Sequence, residues 1–213
     1  MQTLFNEAPR FVPTDKDTDA TPRKIKVTPT PRDADKIPEP KGGPNGLKDG
    51  VEKKYSKWKL ITLAGGDDRA NKSGANCAGT TFAKGFAYIE MTEVQTILDD
   101  NYTFYKSPTV CCVVAWGETG NWHHAALIVD IAADGTPIVW GKDGTTDVVS
   151  EYRADEFSKD WKPYCRNKVP DSVELADLTK EYEAAKALHG AGSPEARLAA
   201  YRMCQCKNAL NGI

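Results

Sequence analysis

Apolar and polar positions change rhythm several times along this chain. Lys57-Trp58-Lys59-Leu60-Ile61-Thr62-Leu63 alternates in part and predicts a strand that opens the folded region. Ala64-Gly65-Gly66-Asp67-Asp68 breaks it as a loop. From Ala78 to Met91 the apolar residues Phe82, Phe86 and Ile89 are spaced by four and three, which predicts a helix with one buried face. Gly85 weakens that helix by about 1 kcal/mol relative to alanine. Thr92-Glu93-Val94-Gln95 fits a capping box, and Val94, Ile97 and Leu98 give a second short helix its apolar stripe. Thr109 to Trp116 is a continuous, valine-rich apolar run and predicts a strand buried on both faces, in which Cys111 and Cys112 point opposite ways as small core residues. Gly117 to Asn121 is a turn, His124 to Ile131 the next strand, and Asp134-Gly135 a hairpin signal. Thr136 to Trp140 returns as a third strand, Lys142-Asp143-Gly144 turns again, and Thr146 to Val149 adds a fourth. Helices followed by an antiparallel meander predict an α+β fold.

The two ends differ from this middle. Eight of the thirteen prolines fall in residues 1–50, with only Phe5 and Phe11 as aromatics and charges of both signs interspersed. Such a stretch buries too little apolar surface to offset the ordering of its backbone. It is expected to be extended or disordered, with a delivery segment for a partner as the alternative. Near the C-terminus, Asp171-Ser172-Val173 can cap a helix carrying Val173, Leu175, Leu178, Tyr182 and Ala185, which Gly190-Ala191-Gly192 ends. Ser193-Pro194-Glu195 starts another, with Pro194 at its first position, running to about Asn208. The expected organisation is a Pro-rich segment over 1–50, a catalytic domain over 51–165, and a helical hairpin over 166–213 packed on that domain.

Composition narrows the function. A formal net charge of -2 gives no sign of a nucleic-acid partner. No stretch approaches the roughly 20 apolar residues that span a bilayer. Met1-Gln2-Thr3-Leu4-Phe5-Asn6-Glu7 shows no basic region ahead of an apolar one, so the expectation is synthesis in the cytoplasm without a signal peptide. On that ground the six cysteines are expected to be mostly reduced, with pairing of Cys165 to Cys204 or Cys206 as the alternative in an oxidising compartment. Cys204-Gln205-Cys206 lacks a second ligand pair at zinc spacing, so neither a metal nor another cofactor is expected.

Two stretches carry chemistry. Ser73-Gly74-Ala75-Asn76-Cys77-Ala78-Gly79-Thr80-Thr81-Phe82 places one cysteine among small residues just ahead of a helical segment. Trp122-His123-His124-Ala125-Ala126-Leu127-Ile128-Val129-Asp130 places a histidine at the mouth of an apolar strand. A thiolate is the attacking species, and an ordinary cysteine has a pKa of about 8.5. A helix N-terminus and an imidazolium partner both lower it. Cys77 has the first device and His124 offers the second. A cysteine at a helix start also turns its own backbone N–H toward a developing oxyanion. Taken alone, Cys77 reads as a small buried residue; the paired contexts favour a nucleophile.

Asn76-Cys77-Ala78-Gly79 resembles the Asp-Cys-Ser-Gly nucleophile motif of NlpC/P60 cysteine peptidases. His124-Ala125-Ala126-Leu127-Ile128-Val129 resembles that family's His-Val-Gly-Ile-Tyr-Val strand, and Gly65-Gly66 stands where the family commonly has a Gly-Gly pair. The likeness covers residues 58–145. It departs in lacking the family's tyrosine before the Gly-Gly, and in having Asn76 where the family has aspartate. The resemblance implies a papain-like α+β domain that cleaves amide bonds in peptidoglycan stem peptides. It selects His124 over His123. The family's third polar residue, which orients the imidazole, would fall just after Trp140; Lys142 and Asp143 are nearest, and the carboxylate of Asp143 suits the role. Asn76 and Asn71 are the candidate oxyanion donors. His189, at a helix end, is assigned no chemistry.

An enzyme of this class, without a signal peptide, resembles bacterial effectors exported by type VI secretion machinery that act in a target cell's periplasm. The implied partners are the peptidoglycan peptide, an immunity protein and a component of the secretion machinery. Two alternatives keep the fold: a deamidase, transglutaminase, acyltransferase or deubiquitinase acting on a protein, or a binding module with an inert cysteine.

Overall fold

The structure is a computed structural model, described over residues 25, 27–29, 59–61, 74–144, 149–167, 169 and 172–210. Its elements, in chain order, begin with β1 (Val27–Pro29), β2 (Lys59–Leu60), α1 (Cys77–Ala83), β3 (Ala87–Ile89), a 3-10 turn (Met91–Glu93), α2 (Val94–Asn101) and β4 (Tyr102–Phe104). They continue with β5 (Val113–Glu118), β6 (Asn121–Ile131), β7 (Pro137–Gly141), β8 (Ser150–Arg153), α3 (Ala154–Phe157), β9 (Trp161–Arg166), α4 (Val173–His189) and α5 (Pro194–Asn208). The class is α+β. Seven strands form an open antiparallel sheet in the order β2-β8-β7-β6-β5-β9-β4, and β1 pairs separately with β3.

Three strands of the expected meander are present as β5, β6 and β7, and β8, at Ser150–Arg153 rather than Thr146–Val149, pairs next to β7. Val113 to Gly117 are all buried, as a strand covered on both faces requires. Alternation along β5 and β6 divides the interior into two clusters. The near face gathers Val113, Ala115, Trp122, Ala125, Leu127 and Val129 beneath α1, α2 and α5. The far face gathers Val114, Trp116, Ala126, Ile128, Val139 and Tyr152, with Phe157 of α3 and Trp161 of β9 packed against them. Each large side chain buried this way contributes about 2–3 kcal/mol.

The C-terminal hairpin forms as the capping residues direct. Ser172 and Ser193 each accept a backbone hydrogen bond from three residues on, at 3.1 Å, and Pro194 opens α5. Its two helices are unequal: α5 buries most of its length on the near face, whereas Tyr182 is the buried residue of α4. Arg197 pins α5 to the sheet, donating to Asp130 and Glu151 at 2.9 Å.

Several elements differ from expectation. The helix after Cys77 stops at Ala83, because Lys84 (φ 50°) and Gly85 (φ 78°) turn left-handed and release the chain into β3. The strand expected from Thr109 begins at Val113, since Thr109–Cys112 is a turn with Cys111 at φ 69°. Strand β9 and helix α3 carried no clear sequence signal. Within 1–50, Ile25 is buried in the near core and Val27–Pro29 form a strand edge, so part of that segment is extended and tied down. The strand expected over Thr146–Val149 lies outside the described residues except for Val149.

The cysteines also correct the sequence reading. Cys111 is bonded to Cys204 on the near face, and Cys112 to Cys165 on the far face, leaving Cys77 and Cys206 free. Cys111 and Cys112 are therefore cross-links rather than small core residues. Cys165 pairs with neither Cys204 nor Cys206. Adjacent residues project to opposite faces: Cys111 meets Cys204 on α5, which covers the near face, and Cys112 meets Cys165 on the neighbouring strand β9, with Cα separations of 4.6 and 4.3 Å.

Candidate functional site

Cys77 is the first residue of α1, and the whole of that helix is buried. Asn76 caps it, with Oδ1 accepting from the backbone of Gly79 at 3.0 Å and of Ile89 at 3.3 Å, and Nδ2 donating to the Ile89 carbonyl at 2.7 Å. These bonds tie α1 to β3, so the amide expected to serve an oxyanion is a structural cap. Gly79 is required at its place. A Cβ there would overlap the Ala87 carbonyl oxygen, so the backbone that approaches this small residue is the chain's own.

The thiol lies against the head of β6. Backbone N–H groups of Ala125, Ala78 and Cys77 lie near enough to the sulfur to favour its anion, and the thiol donates to Met91 Sδ at 3.6 Å. One turn on, Thr81 Oγ1 donates to the Ala125 carbonyl at 3.2 Å. Ile128 exchanges backbone bonds with the residues leading into β5, so alternation points the peptide groups of Ala125 toward β7. The β6–β7 pairing runs only as far as Leu127 and Trp140. Cys77 and Thr81 thus occupy the positions of the missing ladder partner. Burial pushes the Cys77 thiol up to about 11 despite the three N–H groups, and the nearby carboxylate of Asp143 adds to the rise.

His124 projects from the other face. It is fully buried, its ring stacks on Phe157 at 4.2 Å and lies 4.9 Å from Trp116, and Nε2 is 2.6 Å from the Tyr152 hydroxyl. Among the described residues no hydrogen bond joins it to Cys77, so the expected thiol–imidazole contact is absent from this structure. The reason is alternation: His124 directly precedes Ala125, whose carbonyl meets α1, and shares the far face with Ala126 and Ile128. Trp116 faces His124 and Gly117 faces Trp122, leaving His123 as the extra residue of a β-bulge. Trp122 and His124, two apart, would share a face in an unbroken strand. The bulge sends Trp122 to the near face and His124 to the far one. Gly117 (φ 120°) makes room for it, since a Cβ there would crowd the Asn121 carbonyl.

The remaining candidates separate accordingly. Asp143 lies on the Cys77 side, where its charge opposes a thiolate, and the hydroxyl on His124 belongs to Tyr152. Tyr152 carried no sequence signal, being a lone aromatic in a short strand. Asn71 and Gly65-Gly66 lie outside the described residues. His123 is exposed, stacks on Phe157 at 6.0 Å and is felt by Asp160. Among the described residues, no helix is long and apolar enough to cross a membrane. Compared with known protein families, curated proteins and solved structures, the chain matches none.

Proposed function

We propose that this chain is a cysteine hydrolase with a papain-like domain of NlpC/P60 type, which uses Cys77 to cleave amide bonds in peptidoglycan stem peptides. The observation that carries this reading is the convergence of backbone N–H groups from two separate elements, Ala78 on α1 and Ala125 on β6, on a free thiol. Such donors favour an anion once solvent or substrate reaches it. In this reading the buried, neutral thiol is the resting form. Two disulfides fit a protein that works in an oxidising space, as a bacterial effector exported to a target cell's periplasm would. Mass spectrometry of fragments released from purified cell wall tests it. Wild type should release cleaved stem peptides and Cys77→Ala none; equal release by the two, or none by either, refutes the hydrolase.

A second reading has an observation of its own. His124 is held on the far face by Tyr152 and Phe157, and Cys77 completes the edge of β6, which suits a binding module whose cysteine is structural. Toxicity on directing the protein to the periplasm, abolished by Cys77→Ala with the fold intact, separates the two.

A further inference from the structure

We infer that Met91 is the gate of the Cys77 thiol: its thioether covers the sulfur on the side that faces solvent, and rotation of that one side chain admits a substrate. The contact is direct, with Cys77 Sγ donating to Met91 Sδ at 3.6 Å. Of the residues whose groups act on the sulfur, Ala78 and Ala125 are fully buried, whereas Met91 and Asp143 are partly exposed. Among the described residues, the way from the thiol to solvent therefore runs past these two. Asp143 acts on the sulfur through its charge, Met91 by contact.

The backbone around Met91 is held at both ends. Ahead of it, Ile89 of β3 is fully buried and pairs with Val27 of β1. Its N–H (3.3 Å) and its carbonyl (2.7 Å) both bond to the Asn76 side chain. Within the 3-10 turn the N–H of Glu93 donates to the Glu90 carbonyl at 2.9 Å, and the N–H of Val94 donates to the Met91 carbonyl. Val94, the first residue of α2, is fully buried in the near cluster. What is left to move is the Met91 side chain, which is unbranched, has three rotatable bonds and is only partly buried against that cluster. A rotamer change there opens the thiol without unhooking a strand or a helix, and it is far faster than local unfolding. As a substrate gate Met91 rests on the hydrolase reading; as a cover on the thiol it is tested by alkylation alone, so the two can fail separately.

Pulsed labelling of the whole protein, quantified at Cys77 by peptide mass spectrometry, tests it with two reagents, iodoacetamide and a bulky maleimide, each rate taken relative to glutathione. Met91→Ala should raise the iodoacetamide rate by about tenfold and the maleimide rate by more, because a gate excludes by size. In the same variant the pH midpoint of labelling should fall from about 11 toward the ordinary 9.0 as water reaches the sulfur. Met91→Ile keeps the bulk but is stiff at χ1, so its rate should stay at or below wild type. Urea below the onset of unfolding should leave the wild-type rate unchanged, since rotating one side chain exposes little surface. A wild-type rate or midpoint in Met91→Ala overturns the inference. So does fast labelling of Met91→Ile, which marks general loosening, or a wild-type rate that climbs with urea, which marks local unfolding.

Discussion

On the near face a thiol sits among peptide N–H groups; on the far face an imidazole sits among aromatic rings and a phenol. The two groups come from elements that touch, and their strand positions differ by a single residue, since the sulfur meets Ala125. What separates them is parity. A strand carries alternate side chains to opposite faces, and one inserted residue reverses the assignment for everything on one side of it. Proximity in the fold and access to one another are separate properties, and the one-residue offset between Ala125 and His124 sets the second without altering the first.

The largest test of this contrast is Trp122→Ala. The bulge at His123 lets Trp122 sit in the near core while His124, two residues on, sits in the far one. Loss of the ring and of its bond to Gln95 (2.8 Å) should cost about 3–5 kcal/mol, measured as a fall in the urea midpoint, and leave His124 where it is. Next, His124→Ala should cost about 2–4 kcal/mol by the same measurement, since it empties a stacked, hydrogen-bonded site. Cys77→Ala should cost about 1–2 kcal/mol, because it removes a buried side chain and its bond to Met91, and Cys77→Ser, which keeps a donor there, should recover part of that. Last, Tyr152→Phe should cost about 1 kcal/mol and leave the Cys77 labelling rate unchanged, as the hydroxyl acts on the far face alone.

The thiol supplies a pH signature of its own. Its folded value of about 11 lies above the ordinary 9.0. The neutral form is therefore favoured by folding, and the stability it contributes is complete below pH 9 and lost as pH rises through 11. At neutral pH the native thiolate population is about a hundredfold below that of a free thiol. Labelling of Cys77 should climb with a midpoint near 11, and Cys77→Ser should flatten the alkaline stability loss assigned to it. A midpoint near 8 would mean that the thiol is solvated and would undo the contrast between the faces.

Local rules carried the sequence reading where they act alone. Ser172 and Ser193 capped their helices, Asp134-Gly135 turned its hairpin, and the valine run from Val113 became a strand buried on both faces. The reading failed where a distant partner decides. Gly85 ended a helix because Ala87 to Ile89 had β1 to pair with. Pro163, which cannot donate to a ladder, stands in β9, yet that strand lies between two others. Cys111 and Cys112 gave no sign of their partners, since one lies on a helix that covers the sheet and the other on a strand inserted beside β5 late in the chain. Cys77 came to the head of β6, and the spacing did not show that it would meet Ala125 rather than His124, one residue earlier and on the opposite face.

Strand β9 lies between β5 and β4 in the sheet, although β4 precedes β5 in the chain. During translation, Tyr102–Phe104 emerge long before the segment that must be inserted beside them. The hairpins of β5 to β8 can form as they leave the ribosome, whereas β4 joins the sheet only after Trp161–Arg166 have been made. That same late segment brings Cys165 to Cys112, so the sheet gains its final row and its far-face cross-link in one event. A chain truncated ahead of Trp161 forfeits both, and its aromatic edge at Phe104 and Tyr105 is left to aggregate.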